Sequence, residues 1–238
     1  KKGIIGAGGF GREVFWSLNP IERNKTVFFV NDEYWDNSDP NILPLSLFET
    51  DKYELIVAIG DPFARKIVIE SLPKKTKFFT HIHPSVQILG DDVEIGEGTE
   101  IGNHVNITGL TKIGKLNKIY HFSSIGEQPQ DMKYKDQETF LEIGHRNTIR
   151  EFCTLNTGTA EGNKKTIVGN DNWIMAYVHI AHDCVVKNNA ILANGVSLAG
   201  HVEIDDYVVL GGLTGIHQFC KLGAHSITMG GTLLSQDV

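Results

Sequence analysis

An aliphatic residue recurs at every sixth position over most of the chain beyond residue 88. The fifth residue of most six-residue units is small or β-branched, so two positions of each unit suit a core. A repeat of this length predicts a parallel β-helix, in which each unit forms one flat side of a triangular coil. The aliphatic series comprises Leu89, Ile95, Ile101, Ile107, Ile113, Ile119 and Ile125, then Ile143, Ile149 and Leu155, then Val168, Ile174, Ile180, Val186, Leu192, Leu198, Ile204, Leu210, Ile216 and Leu222.

The repeat loses its phase twice, and both interruptions are rich in polar residues. The first is "GEQPQDMKYKDQETFLE" and the second is "EGNKKT". A segment that supplies no inward residues at the regular spacing cannot form a side of the coil. We therefore predict external loops near 126–142 and 160–166, on a β-helix domain that spans 81–238.

Residues 1–80 follow a different pattern, in which short apolar stretches alternate with amphipathic ones. "GIIG", "KTVFFVND" and "YELIVAIG" predict strands, with helices after the first and the third. "GAGGFGREV" places a glycine-rich turn between a strand and a helix, which is typical of a phosphate-binding turn. Eighty residues are too few for the full doubly wound sheet of an NAD enzyme. The predicted fold class is therefore mainly β, a parallel β-helix preceded by a small α/β Rossmann-like domain.

Charge and composition exclude several kinds of partner. The chain has 22 basic and 29 acidic side chains and a formal net charge of -7, which does not favour binding to nucleic acid or to anionic lipid. We see neither a signal peptide nor a membrane span and expect a cytoplasmic protein. Cys153, Cys184 and Cys220 form no CxxC pair, and we expect buried, reduced thiols.

Stacked coils bring distant residues together at "HIAHDC", residues 179–184. If three units complete a coil, residues 18 apart lie one above the other at about 4.8 Å. His182 then stacks with Gly200 and Gln218. Asp183 stacks with His201 and Phe219. A histidine, a glycine amide and a second histidine therefore converge on one edge of the prism, close to His179 and His217.

Three interpretations of this edge are open. A histidine with a pKa near 6.5 can act as a general base whose tautomer is fixed by a carboxylate, with a backbone amide for an oxyanion. His179, His182 and His201 could instead bind zinc, as in a hydro-lyase of the γ-carbonic anhydrase type, although the HxxxxH spacing of those enzymes is absent. The histidines could also be turn residues bonded to the backbone. We favour the base and expect no bound metal.

The motifs "SIGEQPQDMKYKDQETFLEIGHRNTIRE", "HIAHDC", "LAGHV" and "IHQFCKLGAH" resemble the UDP-N-acetylglucosamine acyltransferases of lipid A synthesis. The resemblance runs from about Val93 to Val238 and implies a left-handed β-helix, a homotrimer, and acyl-CoA or acyl carrier protein as acyl donor, with no tightly bound cofactor. It implies that His182 is the base, that Asp183 supports it, and that Gly200 provides the oxyanion hole. Residues implied to bind substrate are Gln130, Asp131, Lys133, His179, His201, His217, Gln218 and, beside the acyl tail, Gly230.

The first 80 residues instead resemble the nucleotide-sugar-binding domain of bacterial sugar acetyltransferases of sialic-acid and bacillosamine pathways. "GAGGFGREV", "FVND" and "VAIGDPFAR" carry this resemblance, which implies substrate contacts from Gly8, Asp32 and Arg65. Arg65 could equally be a charge on a helix surface, and Gln130, Asp131 and Lys133 could belong to a solvated loop.

Both resemblances imply acyl transfer from a thioester to a nucleotide-linked sugar. The lipid A enzymes continue beyond "QDV" with a helical domain, and the printed sequence ends there. We therefore expect transfer of a short or 3-hydroxylated acyl group to an amino or hydroxyl group of the sugar. The alternative is UDP-N-acetylglucosamine 3-O-acylation from acyl carrier protein. A pure binding or scaffold role is a further possibility.

Overall fold

The computed structural model describes residues 1–89 and 92–238. Its first part contains the strands β1 (Lys2–Ile5), β2 (Thr26–Val30), β3 (Ile42–Pro44), β4 (Glu54–Val57) and β5 (Lys77–Phe78), the helices α1 (Gly9–Ser17), α2 (Pro20–Arg23) and α3 (Pro62–Ser71), and 3-10 turns at Asp32–Tyr34 and Leu45–Leu47. The strands form a parallel sheet in the order β3-β2-β1-β4-β5, as expected for a small α/β domain. Within the described residues, no helix has the length and apolar character needed to cross a bilayer.

From His81 onward, the chain winds into a prism whose three faces are parallel sheets of short strands. The first face contains His81–Ile82, Glu100–Ile101, Lys118–Ile119, Thr148–Ile149, Trp173–Ile174, Ile191–Leu192 and Val209–Leu210. The second contains Gln87–Leu89, Asn106–Thr108, Ser124–Glu127, Thr154–Asn156, His179–Ile180, Ser197–Leu198, Gly215–Ile216 and Leu233–Leu234. The third contains Glu94–Ile95, Leu110–Ile113, Phe140–Ile143, Lys165–Val168, Val185–Val186, Glu203–Ile204 and Lys221–Leu222.

The aliphatic repeat forms the core of this prism. Ile113 pairs in register with Ile95 and Ile143, and Ile143 pairs with Val168, so the column continues across both interruptions. The residues of the aliphatic repeat from Ile101 to Leu222 are each at most 3% exposed. Continuous burial of aliphatic side chains is what stabilises stacked coils. The intervening loops occupy residues 128–139 and 157–164.

Most described corners of the prism bend at a residue in the left-handed backbone region. Asp183, His201 and Phe219 have φ of 60°, 63° and 67°, and each lies three residues after an aliphatic core residue. Asp and His adopt this conformation more readily than most side chains. The corner after the second face therefore presents these three residues as one column, as the 18-residue spacing predicts.

Buried asparagines stabilise the corner between the third face and the first. Asn117 Nδ2 donates to Gly144 O at 2.8 Å, and Asn147 Nδ2 donates to Gly169 O at 2.8 Å. Asn117 Oδ1 in turn accepts from the backbone N of Asn147 at 2.8 Å. These bonds satisfy corner carbonyls that would otherwise be buried without a donor.

The three cysteines belong to the core, as predicted. Cys153, Cys184 and Cys220 are free and buried. Burial raises the pKa of the Cys153 and Cys184 thiols to about 12, so both remain protonated and unreactive at neutral pH.

Arg65 joins the α/β domain to the first face of the prism. The side chain is 2% exposed, and its Nη2 donates to Arg146 O at 2.7 Å and to Asn147 O and Thr148 Oγ1 at 3.2 Å each. Nearby, Lys118 of the prism lies against the ring of Phe10 in the first turn of α1. The guanidinium is therefore used at the domain junction, and the predicted contact of Arg65 with substrate stays a prediction.

Candidate active site

His182 and Asp183 form a hydrogen-bonded dyad at the corner after the second face. His182 Nδ1 lies 2.9 Å from Asp183 Oδ2, and the histidine side chain is 17% exposed whereas the aspartate side chain is fully buried. Because the carboxylate is an acceptor, Nδ1 carries the proton and Nε2 presents its lone pair. This is the tautomer that a general base requires.

The short loop 157–164 surrounds the Asp183 carboxylate with donors. Thr159 Oγ1 donates to Oδ2 at 2.6 Å, Thr159 N lies 3.1 Å from Oδ2, and Asn163 N donates to Oδ1 at 2.8 Å. A Cβ at Gly162 would lie 2.6 Å from the carboxyl carbon, so only glycine fits there. Burial raises the pKa of Asp183, but the bonds from His182 and Thr159 outweigh it, and the net pKa lies below its usual range.

Gly200 lies one coil further along, directly against the His182 ring. A Cβ at this position would lie 2.6 Å from His182 Nε2, so the close approach depends on glycine. Among the described residues, the backbone N–H of Gly200 has no hydrogen-bond acceptor. A free amide beside a base can stabilise an oxyanion.

A groove of about 640 Å³ opens over this dyad. His201 stands on its wall, with Nε2 3.7 Å from Asp183 Oδ2 and its ring stacked on Phe219 at 4.5 Å between centroids. The other lining residues are Gln130, Asp131, Lys133, Thr159, Glu161, Gly162, Ala181, His182 and Gln218. The structure thus brings residues from both external loops and the stacked corner into one site.

A second groove, of about 630 Å³, lies on the second face and is largely apolar. His179 and His217 line this groove rather than the one over His182. His179 Nδ1 is bonded to Thr154 Oγ1 at 2.7 Å, and burial lowers the pKa of His179, with a smaller effect from His182. Leu198, Ile216, Leu233 and Leu234 supply the apolar walls.

The remaining predicted substrate residues lie elsewhere. Gly230 follows the first face near Gly212, whose carbonyl would lie 3.3 Å from a Cβ at 230, and it is not among the residues that line either groove. Gly8 directly precedes α1 of the α/β domain, at the N-cap position, and is exposed. Asp32 is also exposed there, and its Oδ1 accepts from Ser46 N at 3.1 Å. Their roles stay predictions.

The histidine set considered for zinc is not the one that converges. Among the described residues, the ligand atoms that converge belong to His182, Asp183 and His201, whereas His179 is bonded to Thr154. Both Asp183 oxygens already accept hydrogen bonds from the short loop. This arrangement fits a dyad better than an open ligand set.

Thr159, Glu161 and Gly162 are site residues that the sequence did not single out, because they lie in the short loop, outside the regular spacing. The 18-residue spacing placed Phe219 in the column of Asp183 and His201 but did not identify it as a site residue.

The fold and the site define the class of hexapeptide-repeat transferases. Residues 165–200 match the family model "Bacterial transferase hexapeptide (six repeats)", and residues 3–72 match "PglD N-terminal domain". The structure of PerB from Caulobacter crescentus, solved with CoA and GDP-perosamine, covers 92% of this chain and 90% of its own, with a TM-score of 0.59 and 17% identity. This likeness concerns the fold alone. It confirms a left-handed β-helix preceded by a small α/β domain.

The chain belongs to the UDP-N-acetylglucosamine acyltransferase family. The acyl-(acyl carrier protein)–UDP-N-acetylglucosamine O-acyltransferase of Thiobacillus denitrificans is 56% identical over 174 residues, which cover 66% of this chain and 67% of that protein. The UDP-N-acetylglucosamine acyltransferase structure from Campylobacter jejuni matches at 41% identity and a TM-score of 0.63, over 66% of this chain and 68% of that one. The chain spans about half the length of other curated relatives that it matches.

Proposed function

We propose that this protein transfers an acyl group from a thioester to a nucleotide-linked sugar, with UDP-N-acetylglucosamine and acyl carrier protein as the favoured acceptor and donor carrier. The observation that carries the proposal is the His182–Asp183 dyad beside the free amide of Gly200. The identity to relatives named O-acyltransferases supports transfer to a hydroxyl group over transfer to an amino group, the two acceptors that the sequence left open. The family resemblance implies a homotrimer as the active unit.

In the proposed mechanism, His182 Nε2 removes the proton from the attacking hydroxyl as its oxygen bonds to the thioester carbonyl carbon. The Gly200 N–H stabilises the resulting oxyanion. When the carbonyl re-forms, the carbon–sulfur bond breaks and the protonated His182 returns the proton to the departing thiolate. Asp183 keeps Nδ1 protonated and stabilises the positive imidazolium between the two steps.

The groove on the second face supports a fatty rather than an acetyl donor. Ala199 lines this groove and directly precedes Gly200, so a thioester held at the Gly200 amide has an apolar surface beside it. Leu198, Leu233 and Leu234 extend that surface. Burial of methylene groups contributes roughly 0.8 kcal/mol each, which an acetyl group cannot use.

A second candidate is transfer of a short acyl group from coenzyme A to the amine of a sugar nucleotide. The match of residues 3–72 to the PglD N-terminal domain favours it. The chemistry at His182 is the same, because an amine and a hydroxyl both lose a proton on acylation.

A substrate panel tests the proposal and separates the two candidates. UDP-N-acetylglucosamine and UDP- and dTDP-linked amino sugars are each assayed with 3-hydroxyacyl carrier protein, acetyl-CoA and longer acyl-CoA, and products are identified by mass spectrometry. Ester formation on UDP-N-acetylglucosamine from the carrier protein is expected. An amide product with acetyl-CoA instead supports the second candidate, and no acyl transfer with any pair contradicts both.

Replacing Gly200 by Ala is expected to lower kcat by about 10- to 100-fold, because the new methyl group displaces the His182 ring from its working position. Gly212→Ala is the matched control, since Gly212 occupies the same place in its repeat and a Cβ there would meet its nearest atom, Asn194 O, at 3.4 Å. Steady-state kinetics and circular dichroism measure both variants. Equal kcat values for the two variants would show that the close contact between Gly200 and the His182 ring does not contribute to catalysis.

A further inference from the structure

The hydroxyl of Thr159 and the imidazole of His182 bond to the same oxygen of Asp183. Thr159 Oγ1 donates to Oδ2 at 2.6 Å, and His182 Nδ1 lies 2.9 Å from that atom. Thr159 is 7% exposed, so this hydroxyl is largely shielded from water. Two donors that share one oxygen compete for its electron density, and each weakens the acceptor available to the other.

We infer that Thr159 is a positioning residue that sets the basicity of His182, by drawing part of the negative charge on Asp183 Oδ2 away from the imidazole. The backbone amides of Thr159 and Asn163 hold the carboxylate in place, with contacts at 3.1 to 3.2 Å and 2.8 Å. Of the loop donors that reach the Asp183 carboxylate, the Thr159 hydroxyl is the one that a substitution can remove without changing the backbone. The expected change in the pH dependence of turnover rests on the proposed function. The expected change in the pKa of His182 does not.

Other charged and titratable groups also face the dyad. His201 approaches Asp183 Oδ2 at 3.7 Å, and His179 lies close enough for His182 to lower its pKa. Asp131, Lys133 and Glu161 line the groove above. These groups are unchanged when Thr159 is replaced, so a difference between variants reports on the hydroxyl.

Thr159→Val removes the hydroxyl and keeps the side-chain shape. The full negative charge of Oδ2 then acts on the imidazolium. The pKa of His182 is therefore expected to rise by between about 0.3 and 1 unit, which corresponds to the free energy of one hydrogen bond. Because the base must be neutral, the acid limb of kcat/KM is expected to move to higher pH by the same amount. NMR titration of the His182 ring measures the pKa without any substrate.

Thr159→Ser retains the hydroxyl and is expected to titrate like the unchanged protein. Thr139→Val is the matched control, since Thr139 of the longer loop is also buried and its hydroxyl donates to Thr157 Oγ1 at 2.9 Å rather than to Asp183. If Thr159→Val does not fold, Thr159→Ala replaces it. An unchanged His182 pKa in the variant without the hydroxyl, or an equal shift in Thr139→Val, overturns the inference. A shift of His182 in a protein that acylates no sugar would contradict the proposed function and leave this inference standing.

Discussion

His182→Ala is expected to lower kcat/KM by about 10³-fold or more, because general-base catalysis contributes roughly 10² to 10⁴ and no second imidazole can occupy its position. His201 points to the same carboxylate but approaches it only to 3.7 Å. The fold is expected to survive, since Asp183 keeps the donors from Thr159 and Asn163. Initial rates with the substrate pair found in the panel, together with a melting curve, measure both effects.

His225→Ala provides the control for removal of a corner histidine. His225 stacks on Tyr207 at another corner and has φ of 64°, close to the 63° of His201 in the site. Its activity is expected to stay within about twofold of the unchanged protein, as for most surface substitutions away from special features. Retained activity in His182→Ala would remove the base assignment, and equal losses in both variants would point to damaged folding.

The regular part of the site follows from the sequence because each coil repeats the same geometry. Once the aliphatic spacing identifies the coil, the 18-residue offset brings His182, Gly200 and Gln218 to one corner, and the structure shows that corner. His179 also lies on the strand that the spacing assigns to it, paired with Thr154 and Ser197. Short-range periodicity is sufficient for these positions because each depends on local backbone geometry.

The loop contributions could not be predicted in the same way. Thr159 and Gly162 lie outside the repeat, so no offset relates them to Asp183, and their contacts depend on how the loop closes. The expected second loop began at residue 160, one position after Thr159. Loop conformation is set by a few hydrogen bonds, such as Lys164 N to Thr159 O at 3.0 Å, which leave no periodic signal.

Contacts between domains, such as those of Arg65, are a second feature that the sequence does not predict. The amphipathic pattern of α3 identifies a helix but does not say that a second domain covers its polar side. Burial lowers the pKa of Arg65 to about 10, which leaves the guanidinium charged at neutral pH and dependent on the carbonyls it reaches. A charged residue on a helix is more often solvated, so neither the helix-surface environment nor the substrate contact considered from the sequence includes burial at a domain junction.

Arg65→Ala is therefore expected to destabilise the protein by about 2 to 4 kcal/mol, through the loss of buried packing and of donors to buried carbonyls. Arg146 O and Asn147 O would each lose a contact, as would Ile59 O at 3.3 Å within the α/β domain. Urea unfolding followed by tryptophan fluorescence measures the change. Trp16 and Trp35 report on the α/β domain and Trp173 on the prism, so single-tryptophan variants show which domain responds.

Lys66→Ala is the matched control on the same helix. Lys66 Nζ lies 3.8 Å from Asp171 Oδ2, and its side chain is 38% exposed, so its loss is expected to cost less than about 1 kcal/mol. Arg65 forms hydrogen bonds in both domains, whereas Lys66 makes a partly solvated ion pair. A much larger loss of unfolding free energy in Arg65→Ala than in Lys66→Ala would therefore show that the buried junction stabilises the protein. Equal unfolding midpoints for Arg65→Ala and Lys66→Ala would show that the guanidinium contacts contribute no more than a surface charge.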